Sequence, residues 1–401
     1  MIPRDIFSEE HEIFRRSVQR FIQQNVEPHY DKWEHDGIVP RDAWLAAGKE
    51  GILCCAVPEE YGGMGGDFLH SSVVIEEMAR AGYTAPTFYL HSDIISPYLV
   101  TYGTEEQKQK WLPRMAAGEV VTALGMTEPS GGSDLQSMRT TAVREGDDYV
   151  INGQKVFITN GHSADLLVLA CKTDPSARAR GVSLILVETD RPGFTKGRRL
   201  EKIGCKAQDT AELFFADVRV PVGNLLGEEG RGFYQLMTEL SQERLVQAIR
   251  AVATAEAAIE WTIAYVSQRP MFGHMLADFQ NTQFKLAEMH ADTLAQRVFV
   301  DRCIALHLER KLDANDAAIA KLISTELQGR VTDQCLQLFG GWGYVWEYPI
   351  ARAYADARMT RIGGGSIETM KQLIARQLLP NANFRSSPAA ARRSESQVTG
   401  T

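Results

Sequence analysis

From Phe233 to Arg269 the chain runs without a single Gly or Pro. So long a run free of breakers reads as one helix, about 55 Å long at 1.5 Å per residue. An element of that length commits the chain to a helical layer. Within it, Glu243 and Arg244 stand in Leu240-Ser241-Gln242-Glu243-Arg244-Leu245. Leu236, Leu240 and Gln247 recur one or two turns away on the Glu243 face. A carboxylate held among them is partly shielded from water, which raises its pKa and suits it to take a proton from a weak carbon acid. A Glu-Arg pair also decorates many solvated helix surfaces, so the rest of the chain has to decide.

With 401 residues, 44% hydrophobic and 23% charged, the chain can bury a large core in two or three domains. A net charge of -8 leans away from nucleic acid. No apolar stretch approaches a bilayer span, and Met1-Ile2-Pro3-Arg4-Asp5 does not begin a signal peptide. The expectation is therefore no membrane insertion and a cytoplasm-like compartment: bacterial cytoplasm, or an organelle matrix after processing. Six cysteines, including Cys54-Cys55, show no Cys-x-x-Cys spacing and no zinc-like cluster with His. They read as reduced core filler, and no metal site is expected.

Residues 1–120 carry helical periodicity, with Ser8 starting a helix whose stripe is Ile13, Phe14, Val18, Phe21 and Ile22. Residues 121–230 alternate as short strands, with no long helix between them, so they read as antiparallel hairpins. Residues 231–383 read as a four-helix bundle, with almost no breaker between His274 and Gln328. Residues 384–401, rich in Ser, Ala and Arg, read as a disordered tail. The fold class is thus α+β, mostly α.

Familiar nucleotide and hydrolase fingerprints are missing. No Gly-x-Gly-x-x-Gly opens a helix, no Walker loop and no His-Glu-x-x-His occur, and Gly161-His162-Ser163-Ala164-Asp165 ends on Asp where a nucleophile elbow needs Gly. Glycine-rich or turn-forming segments nevertheless recur at four places. They are Met126-Thr127-Glu128-Pro129-Ser130-Gly131-Gly132-Ser133-Asp134, Lys155-Val156-Phe157-Ile158-Thr159-Asn160-Gly161, Arg269-Pro270-Met271-Phe272-Gly273 with Phe279-Gln280, and Gln337 to Tyr344 with Arg361 to Glu368. Taken alone, the first reads equally as a structural Ω-loop and the second as a sheet-edge Phe.

In this order and spacing, on a helical–β–helical chain, the four segments resemble the acyl-CoA dehydrogenase family over about residues 5 to 380. The stretches Lys206 to Phe215 and Gly340 to Ile350 are most similar to its long-chain branch. The resemblance implies α,β-dehydrogenation of a saturated acyl-CoA to the trans-2-enoyl-CoA, with FAD as cofactor. A base takes the pro-R α-proton while the β-hydride passes to the flavin. Leu124, Met126, Thr127 and Ser133 would line the flavin, and Phe157, Ile158 and Thr159 would flank its ring. Arg269, Phe272 and Gln280 would reach the FAD of a neighbouring subunit. Gln337, Gly340, Gly341, Ser366 and Glu368 would complete the cofactor contacts. Ser133, Phe233, Leu240, Arg244, Gly364 and Gly365 would lie against the substrate, with a glycine N–H at 364 or 365 facing the thioester oxygen.

One departure decides the base. Many relatives carry a catalytic Glu where this chain has Gly364, whereas the long-chain and isovaleryl branches place it on the long helix just before an Arg. Glu243-Arg244 fits the second pattern and Glu368 is the rival. Small residues at 363 and 364 leave room for a methyl branch, so branched or long acyl chains are expected. An electron-transferring flavoprotein is the implied acceptor, and a site completed across subunits implies at least a dimer, typically a homotetramer. The competing readings are an oxidase-like or modified-CoA-ester flavoenzyme and a non-catalytic CoA-ester-binding homologue.

Overall fold

The computed structural model describes residues 2–382. The segment 384–401, read as a tail, lies outside them.

Six helices open the chain: α1 (Glu9–Phe21), α2 (Tyr30–Asp36), α3 (Arg41–Lys49), α4 (Phe68–Arg80), α5 (Ser96–Tyr102) and α6 (Glu105–Ala116). Their starts are chemically marked. His11 Nδ1 accepts from Ser8 N at 3.1 Å, Asp67 accepts from Leu69 N and His70 N, and Thr104 and Gln107 bond reciprocally. Val18 and Phe21 are buried, but Ile13 is exposed. Only α4 packs extensively on α1, so the buried stripe is narrower than periodicity suggests. The N-terminus is pinned through Glu76 of α4, a fully enclosed carboxylate that accepts from Arg4, Arg15 and Arg297.

The sheet comprises β1 (Thr122–Gly125), β2 (Thr141–Glu145), β3 (Asp148–Thr159), β4 (Leu166–Lys172), β5 (Val182–Glu188), β6 (Phe194–Arg199), β7 (Thr210–Pro221) and β8 (Leu225–Leu226). Its order is β6-β7-β3-β2-β4-β5-β8. Antiparallel pairs dominate, as the hairpin reading expects. β1 adds a parallel pairing, Thr122 opposite Leu166. The sequence signal missed β6 because Phe194-Thr195-Lys196-Gly197-Arg198-Arg199 is polar, as an edge strand can be. Between Lys155 and Ile158 the β3–β7 register slips. At that bulge Phe157 adopts φ +60° and stands 66% exposed.

The last third holds α7 (Gly232–Val266), a hairpin of β9 (Pro270–Met271) and β10 (His274–Met275), then α8 (Gln280–Leu308), α9 (Ala314–Phe339), α10 (Pro349–Thr360) and α11 (Ile367–Leu378). α7 is the central element, packed on α4, α8 and α9. The breaker-free run from His274 to Gln328 is not continuous. It turns at residues 309–313, where Arg310 takes φ +56° and Asp313 caps α9 by accepting from Asn315 N and Asp316 N. A left-handed Arg and an Asp cap here replace Gly and Pro. All six cysteines are buried and unpaired.

Candidate active site

Glu243 lies near the N-terminal third of α7, 8% exposed, and its Oε2 has no hydrogen-bond partner. Burial pushes the carboxyl above its ordinary value, opposed by the positive charges of Arg244 and Lys321. The loop between α10 and α11 closes over it. Gly364 has φ +64°, and a Cβ placed there would stand 3.2 Å from Glu243 Oε1 and 3.5 Å from Gln247 Cγ. Glu243 and Gly364 are therefore complementary: the carboxylate fills space that a side chain on the loop would need.

The loop is held from two sides. Lys321 of α9 is fully buried, and its Nζ donates to Gly365 O. Ser366 caps α11, accepting from Thr369 N at 3.3 Å, and Thr369 Oγ1 donates to Ser133 Oγ at 3.5 Å. That contact joins the helical bundle to the glycine-rich loop after β1.

A buried ion pair fixes the loop itself. Lys155 Nζ donates to Glu128 Oε1 at 2.8 Å and to Met126 O at 3.0 Å. Glu128 also accepts from Arg139 N and Thr140 N, and Thr127 O accepts from Val156 N. Burial pushes the Glu128 carboxyl up, but Lys155 and these bonds outweigh it and leave it lowered. Leu124, Met126 and Thr127 are half-buried along this path, while Ser133 is exposed at its end.

Phe157 and Thr159 face outward from the end of β3, with Thr159 Oγ1 accepting from Gln208 Nε2 at 3.0 Å. Ile158 turns the other way. Its side chain is 2% exposed inside the sheet core, so only its backbone is available to a ring. The bulge turns its two neighbours out and this residue in. Leu240 is buried and Phe233 half-buried on α7. Arg244 points toward the start of α9, where Nη1 donates to Ala314 O at 3.5 Å, and its Nε is unpartnered. Glu368 is exposed and held below the usual carboxylate range by its own backbone N–H and Ser366. It is a poor proton acceptor beside Glu243.

A second group gathers elsewhere. Arg269, Gln337, Gly340 and Gly341 line a cavity of about 530 Å³ together with Tyr265 and Trp342. Nothing lies within 4 Å of a Cβ on Gly340 or Gly341, so the backbone there is open to a ligand. Phe272, 87% exposed, and Gln280 project beside it into open space. From Glu243 to the end of α7 at Val266 is about 35 Å of helix, and Arg269 lies beyond it, so one chain does not bring the two groups together.

Sequence reading missed Lys321, the Lys155–Glu128 pairing and Gln208. Lys155 and Glu128 sat inside singled-out motifs, but their contact crosses a loop. Lys321 lies in a featureless helical run. It also missed His11, Asp67 and His70, the one cluster of three metal-ligating groups among the described residues. Asp67 Oδ1 is already engaged by both rings and two backbone N–H groups, which makes the cluster a satisfied helix cap.

The residues fit a flavin. An outward aromatic, a backbone loop held rigid from beneath, and an open arginine-lined cavity suit a planar ring with a diphosphate tail. Family models for the acyl-CoA dehydrogenase N-terminal, middle and C-terminal domains match residues 8–119, 123–218 and 230–379. The mouse (Mus musculus) mitochondrial long-chain specific acyl-CoA dehydrogenase is 52% identical, over 94% of this chain and 89% of that protein. An acyl-CoA dehydrogenase structure from Geobacillus kaustophilus superposes with TM-score 0.91 at 51% identity, covering 93% of this chain and 98% of its own. A glutaryl-CoA dehydrogenase from Mycobacterium smegmatis, solved with FADH2, gives TM-score 0.88 at 28% identity, covering 95% and 97%. The chain belongs to the acyl-CoA dehydrogenase family, as an FAD-dependent oxidoreductase that introduces a double bond between the α and β carbons of an acyl-CoA.

Proposed function

We propose that Glu243 is the base that removes the α-proton of the bound acyl-CoA. The observation that carries this reading is its buried carboxylate, with one oxygen unpartnered, set against Gly364. A thioester α-carbon is far too weak an acid for an ordinary carboxylate, so the developing enolate needs donors on its oxygen and a dry pocket. The N–H groups of Gly364 and Gly365 make no hydrogen bond among the described residues, which leaves them free for a carbonyl oxygen. Ser133, Phe157 and Thr159 would orient the cofactor from the sheet side. When bound, FAD supplies the two-electron acceptor for the β-hydride, and the α-proton stays on the Glu243 carboxyl until it is released.

Arg269, Phe272, Gln280, Gln337, Gly340 and Gly341 would hold the far end of a cofactor belonging to a second subunit. Arg269 and Phe272 follow the far end of α7, about 35 Å of helix beyond Glu243, which supports that reading; it requires at least a dimer and suits a tetramer. Electrons would leave to an electron-transferring flavoprotein. No helix among the described residues is long and apolar enough to cross a membrane, and the compartment proposed is a bacterial cytoplasm or organelle matrix.

The substrate proposed is a long or branched acyl-CoA, because no side chain at 363 or 364 crowds the thioester. Incubating the protein with a panel of CoA esters and a soluble electron acceptor, and weighing the products, tests this. Loss of two hydrogens from long or branched esters at rates at least equal to short straight ones is expected. Turnover confined to short straight chains would contradict it. Exchange of the α-hydrogen with D2O, present in the native protein and absent in Glu243→Gln, tests the base.

A further inference from the structure

Lys321 has no place in the reading above, yet among the described residues it is the one fully buried cation between α9 and the Gly363–Gly365 loop. Its Nζ donates to Gly365 O, and that leaves two of its three N–H groups without a partner. A buried ammonium bonded to a single carbonyl is costly unless an opposite charge lies close. Glu243 is that charge: each group acts on the other through space, without an ion pair within 4.0 Å.

We propose that Lys321 is a positioning residue: its ammonium anchors the Gly365 carbonyl, fixing the glycine loop over Glu243, and sets a positive charge facing that buried carboxylate. Two features of the geometry follow. Gly364 and Gly365 both sit at positive φ, +64° and +86°, a conformation open to glycine, and of the two side-chain ties on this loop Lys321 is the one that reaches a glycine carbonyl, the Ser366 cap holding its other end. Glu243 makes no hydrogen bond through Oε2, so its ionisation depends on charge at a distance rather than on direct donors. The groups facing it are few: Arg244 on its own helix, Lys321 from α9, and the hydroxyl-bearing rings of Tyr89 and Tyr98, with Glu239 one turn earlier acting on Tyr98. Glu368 acts on Lys321 from α11. Arg244 also has a carbonyl, Ala314 O, to turn toward. Lys321 therefore carries the share of the field that comes from the loop side.

The inference rests on Glu243 being the base, and its test is chosen to stand apart from activity. The infrared band of the protonated Glu243 carboxyl, identified by its absence in Glu243→Gln, is followed against pH in flavin-loaded protein. The native protein, Lys321→Met, Lys321→Arg and Lys321→Gln are compared. Loss of the charge in Met and Gln is expected to raise the pH midpoint of the band by about one unit. Arg is expected to restore the native midpoint. Gln keeps a donor for Gly365 O, so it stands in should Met fail to load flavin. A merely structural lysine would leave the midpoint of the folded variants unmoved, and that result overturns the proposal. Full flavin reduction in Glu243→Gln would overturn the assignment of the base instead, while the band still reports on Lys321.

Discussion

Gly364 and Glu243 occupy complementary space: a Cβ on the glycine would lie 3.2 Å from the carboxylate Oε1. A base on the loop and a base on α7 therefore cannot both be accommodated without movement. Under the proposal made above the base is the one on the helix, where the side chain is backed by a packed, breaker-free element rather than by three consecutive glycines.

Gly364→Ala tests that relationship. The left-handed φ of +64° costs an alanine about 1–2 kcal/mol, and its methyl would press on the carboxylate. A lower thermal midpoint is expected, with a roughly tenfold slower flavin reduction and unchanged FAD content. Native rates at lowered stability would show that the glycine serves the backbone alone.

Activity should fall with acid. Burial raises the Glu243 pKa above 4.5, its ordinary value, and the base works only when deprotonated. The rate of flavin reduction is thus full above that raised pKa and is lost as pH falls through it. A stopped-flow pH profile with its acid limb at or below the ordinary carboxylate range would contradict the burial argument.

Under the glycine-rich loop after β1, proposed to hold the flavin, Lys155→Met would leave Glu128 buried without its countercharge. Breaking a buried pair from one side costs roughly 3–5 kcal/mol, and here it also frees Met126 O. Weaker FAD retention and a lower melting temperature are expected on gel filtration and calorimetry. The double variant Glu128→Gln/Lys155→Met should recover part of the stability, since no lone charge then remains.

Far from the site, Glu76 is predicted to make the fold acid-sensitive. Burial pushes its carboxyl up, but Arg297 and Arg4 outweigh burial and bring it to about 2. Because the folded value lies below the ordinary 4.5, its contribution is complete above 4.5 and disappears as pH falls toward 2. The linked stability is on the order of 3 kcal/mol. Urea unfolding of Glu76→Gln should show a shallower loss of stability across that interval than the native protein.

Legibility in the sequence followed the range of the interaction. α7 and the apolar strands of the sheet were readable because breakers and alternation are local, while the polar edge strand β6 was not. The burial of Glu243 was readable because Leu236, Leu240 and Gln247 repeat at helical spacing, whereas its reading as a base came from the family resemblance. The α8–α9 turn was not, since Arg310 and Asp313 do there what Gly and Pro usually do. The inward side chain of Ile158 was not legible because a one-residue bulge reverses which side chains face out. Lys321 and the Lys155–Glu128 pair were invisible for another reason: their partners come from loops 44 and 27 residues away, and no periodicity encodes such contacts.

The most direct measurement is an anaerobic titration of the native and Glu243→Gln proteins with saturated acyl-CoAs, following flavin absorbance. The account predicts bleaching of the native protein and none of the variant, with FAD retained in both. Equal bleaching of the two would contradict it and move the base elsewhere.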